Sequence, residues 1–137
     1  MSEFHNCAVV AVTLRPSPIS QENAYLGVVV RCAETGYFGY KLVQDDASAI
    51  ERIVNFFPRY GRQNLMRAVK WAAHDIDFAI EGERNGRAAF ANLIRPRENV
   101  IRYAPPFVVA TDDPVAELAR QYEMLVSIPG TPCTLSD

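Results

Sequence analysis

A chain of 137 residues is the size of one ordinary domain, long enough to bury about two-thirds of its unfolded surface without disulfide or metal staples. With 49% hydrophobic and 22% charged residues it lies far from the disordered regime, and no apolar run approaches the roughly 20 residues that cross a bilayer. A net charge of −2 argues against a globally basic nucleic-acid binder and leaves a local patch open.

The opening residues MSEFHNC have neither a basic region nor an apolar core, so no signal peptide is expected and the default location is the cytoplasm. HNCAVVAVTL, His5–Leu14, reads as a strand apolar on both faces, as a central strand should be. Arg15, Pro16, Ser17 and Pro18 end it. Residues 23–42, NAYLGVVVRCAETGYFGYKL, are the hairpin around which the chain is organised. Val28, Val29 and Val30 are β-branched, Tyr37, Phe38 and Tyr40 are aromatic, and Glu34, Thr35 and Gly36 make the turn between them. Strands one to three then form an antiparallel meander. Cys7 and Cys32 fall in strands as small buried hydrophobes, and Cys133 falls in a tail; with no CxxC spacing, neither a disulfide framework nor a zinc site is suggested.

Asp45 or Asp46 caps a helix reaching about Phe57, with Ile50, Ile53, Val54 and Phe57 at i, i+3, i+4 and i+7, and Pro58 stops it. A longer helix runs from Gly61 to about Glu81 on a stripe of Leu65, Val69, Ala72, Ile76 and Ile80, widened by Met66 and Ala73. Gly82 and Gly86 close it, and residues 87–101 read as an ordered loop. Residues 100–103 and 107–110 are strand-like, split by Pro105 and Pro106 in a way that suits an edge or a bend. Asp113 before Pro114, with Glu117 in the first turn, starts a last helix that carries Leu118, Tyr122, Leu125 and Val126. Strands first and helices after predict one α+β domain over residues 1–128. It would hold a mainly antiparallel sheet of four to five strands with about three helices packed on one face, and a tail over residues 129–137.

Glu22 five residues before Gly27-Val28-Val29, the pair Gly36-Tyr37 with Phe38, the run Arg95-Pro96-Arg97-Glu98 and the closing Asp112-Asp113-Pro114 with Glu117-Leu118 together resemble the bacterial family of unknown function DUF3037. The resemblance extends from about Asn6 to Val126. It departs at Tyr25, where the family places an asparagine that this chain carries at Asn23. It implies no activity. The family's genes often lie beside those of short HipA-like kinases, which implies such a kinase as a partner.

Five arginines, Arg84, Arg87, Arg95, Arg97 and Arg102, fall in residues 84–102 against the single acid Glu98. That segment carries +4 and leaves −6 for the rest of a chain whose total is −2. Arginine forks hold carboxylates and phosphates, and Tyr103 or Phe90 beside them offers a stacking ring. The bland alternative is a solvated surface paired with Glu98, Asp112 or Asp113, and it weighs somewhat more, because such clusters are common and exposed pairs contribute little. Glu22 beside Asn23 is a second candidate, as an acid/base or, with more weight, as a partner of Arg15 or of a backbone amide. His74 and Asp77 share a helical face, but two ligands do not make a metal site. Without a nucleophile elbow, GxGxxG or P-loop, no catalytic residue, metal or cofactor is expected. Small size, missing catalytic motifs and local charge asymmetry lead to a non-enzymatic interaction module in which residues 84–102 meet an acidic protein partner. The alternative is a nucleic-acid- or phosphate-binding protein or enzyme, which a pocket joining Glu22 to Arg95 would favour.

Overall fold

The computed structural model describes residues 3–17, 19, 22–96 and 99–126, and the backbone of 133–134. The first strand, β1 (His5–Leu14), pairs antiparallel with β2 (Glu22–Cys32), which pairs antiparallel with β3 (Tyr37–Leu42). Gly36 sits at φ 78° in the turn between β2 and β3, a conformation that costs a glycine little. On its other side β1 is lined by two short strands in succession. β4 (Ile101–Tyr103) pairs with its end and β5 (Phe107–Thr111) with its beginning. Pro105 and Pro106 fall between them, where no ladder hydrogen bond is lost. The α+β class holds, and a two-residue β6 (Cys133–Thr134) inside the expected tail pairs with Glu22 and Asn23.

Among the described residues there are four α-helices: α1 (Ala47–Phe56), α2 (Gly61–Arg84) and α3 (Phe90–Leu93) between β3 and β4, and α4 (Pro114–Leu125) after β5. They cover both faces rather than one, and β3 shows how. Tyr40 and Lys41 are consecutive in a strand and therefore point to opposite sides. The Tyr40 hydroxyl donates to Asp77 of α2 at 2.8 Å, and the Lys41 ammonium sits 4.5 Å from the centre of the Tyr122 ring of α4. The apolar β1 demands this: Val9 on one face and Val10 and Val12 on the other are all fully buried. Each such side chain contributes roughly 1.5 kcal/mol or more on leaving water, so neither face can stay wet. The hairpin aromatics Tyr37, Phe38 and Tyr40 are half-buried at the rim of this core, not at its centre.

Residues 87–101, expected as a loop, contain α3. Glu83 caps its start: the carboxylate accepts from the amides of Ala89 at 2.7 Å and Phe90 at 3.2 Å and from the Arg31 guanidinium at 2.9 Å. Arg31 lies over the Phe90 ring at 5.1 Å, and Phe90 meets Phe38 edge to face. This junction lays the chain after α2 back across the sheet and so sets the path of the segment leading to β4.

Candidate functional site

The turn through α3 leaves a groove of about 910 Å³ between α2 and the segment running from Ala91 to Pro106. One wall is a stripe along the start of α2, with Asn64, Arg67, Trp71 and Asp75 succeeding one another at three or four residues, preceded by Tyr60. At 1.5 Å per residue, Asn64 to Asp75 covers about 17 Å. The facing wall includes Ile94, Arg95, Pro96, Asn99 and Val100, and β4 contributes Ile101, Arg102 and Tyr103. Ile101 pairs with Leu14 and Tyr103 with Val12, so both stand on the sheet face that α2 covers.

The lining is largely apolar and aromatic. Three arginines line it, Arg67, Arg95 and Arg102, and Asp75 is the single carboxylate among the described lining residues. Trp71 is 58% exposed, an unusual position for the largest side chain in the protein. His74 meets it edge to face at 6.0 Å between ring centres. The Arg102 guanidinium donates to the Asn99 carbonyl at 3.1 Å, holding the turn before β4.

Of the residues the sequence singled out, Arg95, Arg102 and Tyr103 line this groove. Arg84 and Arg87 do not; both are exposed at the far end of α2, where Arg84 pairs with Glu81 at 3.8 Å. Arg97 lies outside the described residues. Glu22 begins β2, is exposed, and does not line the groove with Arg95. Asn23 beside it is buried at 1% exposure, and its Oδ1 has no hydrogen-bond partner among the described residues. Arg67 and Trp71 were missed by sequence reasoning. The stripe of Tyr60, Asn64, Arg67, Trp71 and Asp75, running beside the core stripe of the same helix, was the available signal.

Cys7 and Cys32 are fully buried, and burial with the neighbouring Cys32 thiol pushes the Cys7 thiol up to about 12, so Cys7 is no nucleophile near neutral pH. His5 faces Glu34 at 3.2 Å, and Asp77 is engaged by Tyr40. Among the described residues no three His, Cys, Asp or Glu side chains gather as metal ligands, and no helix is long and apolar enough to cross a membrane. No curated protein and no solved structure matches the chain. Residues 8–126 match the family model described as Protein of unknown function (DUF3037), and the chain belongs to that family.

Proposed function

We propose that the protein is a non-enzymatic interaction module that holds an acidic, partly apolar segment of a partner protein in the groove between α2 and β4. The observation that supports this is that Arg67, Arg95 and Arg102 all line one open groove with apolar and aromatic walls. Arginine forks take carboxylates in pairs, and Trp71, Tyr103 and the prolines take apolar side chains between them. About 17 Å accommodates roughly five extended residues at 3.3 Å each. A nucleic-acid backbone fits less well. Its affinity rests on a long run of phosphate contacts, and this chain is acidic overall. A HipA-like kinase, implied by the family resemblance, is the first partner from which to draw test segments.

Trp71 is the single tryptophan, so its emission reports the groove alone. Titration with a short synthetic peptide alternating glutamate with leucine or phenylalanine is expected to give a saturable change in that emission. A lysine-containing counterpart and oligothymidylate should give none. Arg67→Glu with Arg95→Glu should weaken the peptide at least tenfold while leaving the melting temperature within error of the wild type. Equal affinity in the double variant sinks the reading, and a response to oligothymidylate in its place reassigns the arginines to phosphate.

A further inference from the structure

The two lateral edges of the sheet are unequal. β3 carries Lys41, and both helical layers engage its side chains, Asp77 through Tyr40, Phe90 through Phe38 and Tyr122 through Lys41. At the opposite edge β5 reads Phe-Val-Val-Ala-Thr with no charge. Val108 is 69% and Phe107 44% exposed, Ala110 is exposed too, and among the described residues nothing pairs with the outer side of β5. An open, uncharged, apolar edge is a ready template for another strand, and proteins usually blunt one with lysine, proline or a covering element. Here the prolines stop short of β5.

We infer that β5 is where two copies of this chain join, antiparallel about a two-fold axis at Val109, so that two sheets become one. The flanks select this occupant. Arg102, in the middle of β4, precedes β5, and the exposed Asp112 follows it beside the helix cap Asp113. Antiparallel pairing sets the basic flank of each copy toward the acidic flank of the other at both ends, whereas parallel pairing sets like beside like. A segment that complements itself under a two-fold rotation fits a second copy of the same surface. In that register Val108 faces the partner's Ala110, and Phe107 faces the partner's Thr111. Phe4, 68% exposed just before the residue paired with Thr111, adds apolar surface at the same end. β5 does not line the groove described above, and although Arg102 is common to both, substitutions at Val108 and Ala110 test this inference without touching the groove.

Sedimentation equilibrium of the full chain over a wide dilution series is the test. The wild type is expected at twice the monomer mass in the upper range. Val108→Lys with Ala110→Lys places two like-charge pairs face to face, and Val108→Glu with Ala110→Glu does the same with the opposite sign. Each double variant should raise the dissociation constant about a hundredfold or more. Mixing the two in equal amounts should restore a dimer, which unfolded chains cannot do. A wild type monomeric throughout, double variants that remain dimeric, or a mixture that stays monomeric would each overturn the inference.

Discussion

Glu83 shows how much of this molecule rests on one side chain. Its carboxylate joins β2 to the turn between α2 and α3, accepting from Arg31 Nε at 3.2 Å and Nη2 at 2.9 Å as well as from the Ala89 and Phe90 amides. Burial pushes the carboxyl up, but the Arg31 guanidinium and the two amides outweigh it and hold it below the usual carboxylate range. Glu83→Ala strands a half-buried guanidinium and uncaps α3, so urea unfolding is expected to show a loss of about 2–4 kcal/mol. Glu83→Gln, which can still accept, should lose less. An unchanged midpoint in the alanine variant would mean that the junction adds nothing to stability. Gly27 is sensitive for a steric reason. A Cβ there would lie 2.2 Å from the Lys41 carbonyl oxygen and 2.6 Å from Leu42 Cδ2. The carbonyl belongs to the β2–β3 ladder and cannot step aside, so Gly27→Ala should cost about 2–3 kcal/mol in the same assay.

At the scale of elements, the helices are fastened at their starts. Asp113 Oδ1 accepts from the Ala116 amide at 3.1 Å, ahead of Pro114, and Asp113→Ala should cost about 1 kcal/mol. Asp46 does two things. Oδ1 caps α1 through the Ala49 amide at 3.1 Å, and Oδ2 accepts from the Tyr122 hydroxyl at 2.8 Å, which ties α1 to α4 past the edge of β3. Tyr122→Phe is expected to remove about 1 kcal/mol and Asp46→Ala about 2 kcal/mol. In a double-mutant cycle the pair should be less than additive, and strict additivity would mean that the hydroxyl contact is not made in solution. The Asp113 cap was legible in the sequence and the α1 cap was legible down to Asp45 or Asp46, because an aspartate followed by a helical apolar period is a local signal. α3 was not legible. Four residues are too few for a period, and its acceptor, Glu83, belongs to the helix before it.

At the scale of the molecule, chain order suggested helices on one face, while the stronger clue was that β1 is apolar on alternate and intervening residues alike. The groove was half legible. Arginine density along the sequence drew attention to residues 84–102, but the 24 residues of α2 place Arg84 far from Arg95, and Arg67 enters from the other wall. Nearness in sequence gave way to the length of a helix. The same layered build makes the protein sensitive to acid at its joints. Asp46, Glu83 and Glu117 are all pushed up by burial and held down more strongly by their partners. For Asp46 these are the Ala49 amide and the Tyr122 hydroxyl, for Glu83 they are Arg31 and two amides, and for Glu117 they are Arg120 and Gln121. A carboxyl depressed in the folded state binds its proton less readily than in the unfolded chain. Its stabilisation is therefore complete above the ordinary values of 4.5 for glutamate and 3.8 for aspartate, and it fades as pH falls through the lower, folded value. The urea midpoint should be flat from neutral pH to about 5 and then fall. Asp46 and Glu83 fasten α1, α3 and α4, and Glu117 is held within α4 by Arg120 and Gln121, whereas β1 and β2 are held by buried valines that do not titrate. Hydrogen exchange near pH 3 should accordingly release the helical amides before those of β1 and β2. The combined Asp46→Asn, Glu83→Gln and Glu117→Gln variant should start less stable and show a flatter acid limb. An acid limb as steep as that of the wild type would place the titrating groups elsewhere, and simultaneous release of helices and strands would show that the joints do not yield first.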